Sequence, residues 1–373
     1  MTNVLSIVSY QFLPPKMGGQ KGIALFNAAL SKYVTLTCLT TKSNDPELEP
    51  GYEIENILST SFTRYFNPFI FFTARKVIRK KKITHLIIEH PYYGWLGILL
   101  KWFCKVKLIV HSHNIEALRF KSMNKWWWGI LWNYEKVTYK AANICFFITD
   151  EDRTFAINKL GIASDKCTTI TYGFDLNSPP SINERKEARV LLESEYNILP
   201  DEKILFFNGT LDYQPNLDAV MAIIEKINPL LQQDQSFKYK IIICGKNLPA
   251  HLDSLYAYND QNIFYAGFVD DITLYFKGAD VFINPVIDGG GIKTKLVEAL
   301  GYDLSVVSTT SGAIGVPATI TNNKLKIVAD SDWINFANEI ISIKNTGTIP
   351  PTFFEHFYWG NIAIKAADCI KKI

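Results

Sequence analysis

From Asn284 to Gly301 the sequence reads Asn-Pro-Val-Ile-Asp-Gly-Gly-Gly-Ile-Lys-Thr-Lys-Leu-Val-Glu-Ala-Leu-Gly. An apolar run enters a glycine loop (Asp288, Gly289, Gly290, Gly291, Ile292) and leaves it as a helix pattern. Glycines clear side chains from a helix start, where free backbone N–H groups and the helix dipole attract phosphate. Lys295 falls on the first turn, where it can neutralise a diphosphate. Glu298 follows three residues later on the same helix face. A carboxylate at that reach can accept both hydroxyls of a ribose. A purely structural strand-to-helix turn is the competing reading, and a cation and a carboxylate on one face of its helix weigh against it.

Three other stretches place polar residues just after apolar runs. Pro14 to Gly22 holds Gly18 and Gly19 ahead of a helix pattern. It lacks the G-x-G-x-x-G spacing of dinucleotide sites, so a structural turn competes with ligand approach. Val110 to Glu116 carries His111 and His113. Histidines at i and i+2 could ligate a metal, but the sequence offers no third ligand with convincing spacing. The sharper reading is that His113 hydrogen-bonds a substrate hydroxyl from a strand end, while His111 still lies in the strand pattern. Asn208 to Asn216 opens a loop at Gly209 and a helix at Pro215-Asn216. Phosphate binding fits that loop, although it contains no Arg or Lys. Asp150-Glu151-Asp152 has D-x-D metal-motif spacing, but after Thr149 it reads more simply as acidic residues at a helix start.

The elements that must position these residues alternate. Short β-branched runs near Val4–Ser9, Val34–Leu39, His85–Ile88, Lys107–His111, Ile144–Ile148 and Thr168–Thr171 are separated by amphipathic stretches of helical length. A linker-like cluster, Asn177 to Ser181, interrupts them. The alternation restarts at Lys203–Asn208, Tyr239–Cys244, Ile263–Tyr265, Val281–Asn284, Ser305–Ser308 and Leu325–Val328. Strands alternating with helices predict parallel sheets covered on both faces. The expected fold is α/β, with two Rossmann-like doubly wound domains over residues 1–178 and 179–355, and a closing helix over 356–373. Helices are expected over Lys125–Ala141, Asn216–Leu231 and Asn361–Lys372.

A chain of 373 residues fits two domains. A net charge of +3 is too small for a dedicated nucleic-acid binder, so no nucleic-acid partner is expected. The charge is divided unequally: residues 1–180 carry 22 Lys+Arg against 13 Asp+Glu, and the remainder 17 against 23. Two units with different tasks follow. Six scattered cysteines without a C-x-x-C pair suggest neither zinc nor disulfides, and point to a reducing compartment. No signal-peptide pattern opens the chain and no apolar run spans a bilayer, so a soluble cytoplasmic protein is expected. Arg75 to Lys82, and Lys121 to Lys140 with Trp126, Trp127, Trp128 and Trp132, mix cations with aromatics. Such stretches can rest on anionic lipid at the inner face of the plasma membrane. The alternative is an amphipathic helix whose tryptophans pack inward.

The order of these motifs resembles that of the GT-B glycosyltransferases, specifically the retaining group called glycosyltransferase family 4 (glycosyl transferases group 1). The resemblance covers essentially the whole chain. It also includes Tyr265-Ala266-Gly267-Phe268-Val269 and Ala279-Asp280-Val281-Phe282-Ile283-Asn284-Pro285. It implies two domains facing across a cleft, a UDP- or GDP-sugar donor on the C-terminal one, and a saccharide or lipid-linked saccharide acceptor on the N-terminal one. No cofactor and no metal are implied. Gly267, Phe268 and Val269 would meet the base; Gly290, Gly291, Ile292 and Lys295 the diphosphate; Glu298 the ribose. Gly19 would approach the diphosphate from the opposite domain, His113 would contact the donor sugar, and the last helix would cross back to the N-terminal domain. Two positions depart from the family pattern. Gly290 stands where the first of two glutamates spaced i, i+8 is usual, and Asp288 could substitute in part. The usual Arg of the Asn208–Pro215 loop is absent. A non-catalytic sugar-nucleotide or glycan-binding protein, or a sugar-nucleotide epimerase on the same scaffold, is the alternative.

Overall fold

The computed structural model describes residues 2–15, 18–45, 51–344 and 347–373. Lys16 and Met17 of the first glycine loop lie outside the described residues. The chain forms two compact units, Met1–Asp175 with Phe357–Ile373, and Leu176–His356.

The first unit is built on a seven-stranded sheet of β1 (Asn3–Val8), β2 (Thr35–Thr41), β3 (Glu53–Leu58), β4 (His85–Glu89), β5 (Lys107–Ser112), β6 (Ile144–Phe147) and β7 (Cys167–Thr169). Its order is β3-β2-β1-β4-β5-β6-β7, and every pairing is parallel. The central strands are buried on both faces, which their continuous Val, Ile and Leu content requires. The second unit carries β8 (Lys203–Asn208), β9 (Tyr239–Cys244), β10 (Ile263–Gly267), β11 (Val281–Asn284), β12 (Ser305–Thr309) and β13 (Leu325–Val328). Its order is β10-β9-β8-β11-β12-β13, again all parallel.

In doubly wound sheets the chain reverses its winding direction at one place, and ligands bind outside the carboxyl ends of the strands there. That place lies between β1 and β4 in the first unit and between β8 and β11 in the second. The glycine loops and the histidine stretch all follow these strands or their neighbour β5.

Several elements differ from expectation. β3 is half-buried and polar (Glu-Ile-Glu-Asn-Ile-Leu) and sits at a sheet edge, where no apolar run is needed. The helix expected over Lys125–Ala141 is present as Trp128–Ala141, and a further short helix, Glu116–Ser122, precedes it across a turn with Asn124 at φ 54°. The helix expected from Asn216 begins at Gln214 and passes through a π-turn at Ile223–Ile227 before continuing to Leu231. Pro229 explains the π-turn, because it has no N–H to donate and its ring crowds the carbonyl four residues back. Of the four clustered tryptophans, Trp132 packs against the core beside Phe155 (5.6 Å between ring centroids), while Trp127 and Trp128 are half-buried and meet Phe120 (4.5 Å) and Trp132 (6.5 Å). Trp126 alone remains 83% exposed.

The last helix, Trp359–Lys372, belongs to the first unit. Phe174 donates its N–H to the Phe357 carbonyl (2.9 Å), and Trp359 donates back to the Phe174 carbonyl (3.2 Å). The buried Trp359 ring meets Tyr172 and Phe26. A Cβ on Gly173 would stand 2.8 Å from the Phe357 carbonyl and 2.7 Å from the Trp359 ring, so this crossing needs glycine. Trp359→Ala should destabilise the first unit by about 3–5 kcal/mol, lowering its thermal transition by several degrees, whereas Trp126→Ala should leave it unchanged. Equal effects of the two substitutions in a calorimetric scan would contradict this packing.

Candidate functional site

In the second unit Lys295 is the focus. It lies on the first turn of the helix Thr294–Gly301, which buries Leu296, Val297, Ala299 and Leu300 against the sheet. Its Nζ donates to the Asn208 carbonyl (3.1 Å) and to Asn216 Oδ1 (3.0 Å), and sits 4.1 Å from the centroid of the Phe207 ring. The Asn216 amide donates in turn to the Thr210 carbonyl (3.0 Å). A Cβ on Gly209 would come within 2.8 Å of that amide, and one on Gly245 within 2.0 Å of the Gly209 carbonyl. Glycine is therefore required at both positions if Lys295 is to be held this way. Among the described residues Lys295 has no carboxylate partner. Burial, with the neighbouring Lys293 charge, pushes its ammonium down to about 7.

The glycine loop is bound to the same helix start. Gly289 (φ 88°) and Gly291 (φ 70°) adopt left-handed backbone, and Lys293 Nζ donates to both their carbonyls (2.6 and 3.1 Å). Burial pushes Lys293 down to about 8, partly opposed by Asp288. Asp288 accepts the Gly289 N–H (2.6 Å), Gly290 is exposed, and Ile292 is half-buried. A Cβ on Gly289 would reach the Tyr213 hydroxyl at 3.0 Å, so the Asn208 and Asp288 loops adjoin. Gly267 (φ 71°) ends β10 and accepts the Gly245 N–H (2.8 Å), placing Phe268 and Val269 beside the same row of loops. The Phe268 ring is exposed and Glu298 is partly buried one turn along its helix. The expected residues of this unit thus converge at one set of strand ends. Sequence reasoning missed Asn216, Gly245 and Lys293, whose roles come from contacts distant in sequence or directed at backbone.

In the first unit Gly18 and Gly19 open the helix Gly18–Ser31 and are exposed. A Cβ on Gly19 would meet nothing within 4 Å, so packing does not require a glycine there. His113 follows β5 and donates from Nε2 to Oε2 of Glu89, at the end of β4, over 2.7 Å. His111 Nδ1 lies 2.9 Å from the same oxygen. The sequence signalled no third partner for the two histidines, and the structure supplies Glu89 from the adjacent strand. Their ligating atoms lie within 4.8 Å of one another, compact enough for a divalent cation. The 2.7 and 2.9 Å separations are hydrogen-bond lengths, however, and tetrahedral ligands at zinc distances stand about 3.3 Å apart. As placed, His113 Nε2 hydrogen-bonds Glu89 Oε2, and His111 Nδ1 lies close to the same oxygen. Burial would raise the Glu89 carboxyl, but His111 and His113 outweigh it and hold it well below the usual carboxylate range. Burial, with His90 and His111 nearby, pushes His113 down to about 3. The neutral imidazole therefore carries its hydrogen on Nε2, leaving Nδ1 as an acceptor.

His90 holds this arrangement from behind. It adopts φ 63°, ψ 159°, a region costly for any side chain (about 1–3 kcal/mol). Its ring stacks on His113 (centroids 4.4 Å apart), with Nε2 at 3.0 Å from the Tyr10 hydroxyl and Nδ1 at 3.2 Å from Glu116. Glu116 also accepts from Tyr92 (2.7 Å) and Arg119 (2.8 Å). Glu135, buried on the helix Trp128–Ala141, accepts the N–H groups of Glu116 (2.9 Å) and Ala117 (2.8 Å), capping the helix that begins there. Burial lifts Glu135 to about 7, against the pull of those N–H groups. Asp150-Glu151-Asp152 is the acidic start of the helix Asp150–Asn158, with Thr149 accepting the Asp152 N–H (3.1 Å).

This two-sheet geometry has relatives. Residues 24–178 match the model described as Glycosyltransferase Family 4, and residues 202–345 the model described as Glycosyl transferases group 1. The chain belongs to the group 1, family 4 glycosyltransferases. A 44.6 kDa protein of the cps region of Klebsiella pneumoniae is 26% identical over 291 residues, 76% of this chain and 71% of that protein. A glycosyltransferase of Methanocaldococcus jannaschii is 22% identical over 331 residues, 80% of each chain. Sucrose-phosphate synthase from Thermosynechococcus elongatus superposes with a TM-score of 0.75 at 14% identity, covering 100% of this chain and 99% of that one. Anabaena Alr3699/HepE in complex with UDP gives 0.74 at 14% identity, covering 100% of both. The fold of this glycosyltransferase is GT-B.

The His113 depression has a direct consequence. Its imidazole NMR resonances should stay constant from about pH 8 to about pH 5, because protonation is displaced to about pH 3. A titration midpoint near pH 6.5, that of a free imidazole, would contradict the Glu89–His113 geometry.

Proposed function

We propose that this glycosyltransferase moves a sugar from a UDP- or GDP-sugar to a saccharide or lipid-linked saccharide, with retention at the anomeric carbon and no metal, in surface polysaccharide synthesis. The observation that carries this reading is Lys295, which among the described residues has no carboxylate partner, at a glycine-rich helix start. Such a seat suits a diphosphate, and Glu298 one turn along suits the ribose hydroxyls. The exposed Phe268 ring offers the base an apolar surface. The Klebsiella relative lies in a cps region. Anabaena Alr3699/HepE was solved with UDP-glucose, and the lipopolysaccharide-biosynthesis glycosyltransferase WaaG shares the fold (TM-score 0.68, 13% identity).

In this reading the bond from the anomeric carbon to the diphosphate oxygen breaks as the acceptor oxygen bonds the same face of the sugar. The acceptor proton passes to the departing phosphate. Negative charge grows on the diphosphate, where the Thr294 helix start, Lys295 and Lys293 are already fixed, and pre-set donors of this kind lower barriers most. His113 Nδ1 accepts a donor-sugar hydroxyl and holds the reacting face.

Incubation with UDP- and GDP-sugars and saccharide acceptors should release nucleoside diphosphate and give a product of unchanged anomeric configuration. Glu298→Ala should raise the donor KM about 10–100-fold, the value of a charge-assisted hydrogen-bond pair. His113→Ala should lower kcat about 100-fold with a smaller change in KM. Nucleotide binding without release from any donor would favour a non-catalytic binding protein, and inverted product would overturn the retaining mechanism.

A further inference from the structure

The first unit exposes an unusual number of large rings on one stretch of chain. Phe62 and Phe66 lie on a 3-10 turn, Phe69 and Phe72 at the start of the helix Ile70–Lys80, and Trp102 and Phe103 at the end of the helix Gly94–Cys104. Each is between 62% and 75% exposed. The helix Ile70–Lys80 already buries Ile70, Ala74, Val77 and Ile78 against the core, so its exposed rings are not part of that face. They include two ring groups: Phe62 meets Phe66 (5.8 Å), and Phe71 bridges Phe72 (5.4 Å) to Phe103 (5.7 Å) across the two helices. Exposed clusters of large rings mark an interaction site rather than ordinary exposure.

Charge identifies the partner. From Asn56 to Ile115 the sequence holds ten Lys and Arg and one acidic residue, Glu89, which is buried beneath His113. Lys76, Arg79, Lys80 and Lys105 are exposed on the same two helices or next to them. Protein interfaces concentrate aromatic residues but are depleted of lysine. Rings flanked by lysines and arginines suit the headgroup layer of an anionic bilayer, and the exposed Glu53 lies at the opposite end of the helix Ile70–Lys80, ion-paired with Lys81. None of the helices among the described residues is long and apolar enough to cross a membrane, so attachment here is by a surface.

We infer that the face formed by Phe62, Phe66, Phe69, Phe72, Trp102 and Phe103, with its surrounding lysines and arginines, seats this protein on an anionic phospholipid surface. The tryptophans that suggested lipid contact in the sequence are half-buried apart from Trp126, and the contact surface lies on the rings before and after the basic run. The rings enter the headgroup layer, and the cations hold it by an attraction that salt screens. The inference stands apart from the transferase reading, because vesicle binding needs neither donor nor acceptor.

The test is co-sedimentation of the full chain with vesicles of phosphatidylcholine alone and of phosphatidylcholine with a third phosphatidylglycerol. Pelleting is expected with the anionic vesicles only, and should fall at least tenfold in high salt. The triple variant Phe69→Ser, Phe72→Ser, Trp102→Ser and the double variant Lys76→Glu, Lys80→Glu should each weaken pelleting at least tenfold. Their melting temperatures and turnover of a water-soluble acceptor should stay at wild-type values. Failure of the wild-type chain to pellet with anionic vesicles, or pelleting that both variants retain, overturns the inference. So does a wild-type dimer in sedimentation velocity that the aromatic variant converts to monomer while neither binds vesicles, since the face would then be covered by a second copy.

Discussion

Lys295 is held by a backbone carbonyl and an asparagine oxygen, with no carboxylate among the described residues to neutralise it. An ammonium in this partly buried place is costly, and its depression to about 7 expresses that cost. Much of the second unit's strand-end architecture follows from keeping it there. Gly209 is glycine so that Asn216 can approach, and Gly245 so that the Gly209 loop can close over β9. Lys293 ties the left-handed glycines to the helix start. An anion arriving at this place restores full charge to both lysines.

The first unit solves the opposite problem. It buries three carboxylates, Glu89, Glu116 and Glu135, at or near the ends of β4 and β5, and satisfies them with histidines, tyrosine hydroxyls, Arg119 and helix N–H groups. The strained backbone of His90 is retained inside this network. The result is one imidazole, His113, with its tautomer set and one nitrogen open. Positive charge in the second unit is held by backbone and amide oxygens, whereas negative charge in the first is paired internally and sets the tautomer of a neutral imidazole. The overall charge difference between the two halves of the sequence does not report this local arrangement.

The alternation of strands was legible because buried parallel strands need apolar or β-branched runs, and strands such as β4, β5, β8 and β9 carry them. β3 was not, because an edge strand can be polar. The glycine loops, Lys295 and His113 stood out by their position after strands. Glu89, His90 and Asn216 did not, because each acts on a residue far away in sequence, and the adjacency of β4 with β5 is a property of the sheet. The face on which the tryptophan helix packs was not legible either, because helical spacing alone does not tell which rings meet Phe120 and Phe155.

The most direct test of the Lys295 seat is calorimetric titration of UDP and GDP at about pH 8, in two buffers of different ionisation enthalpy. The account predicts binding of at least one nucleotide with net proton uptake, because the diphosphate raises both lysines from about 7 and about 8. Lys295→Met should abolish most of that uptake. Nucleotide binding with no proton uptake, or uptake unchanged in Lys295→Met, would contradict it.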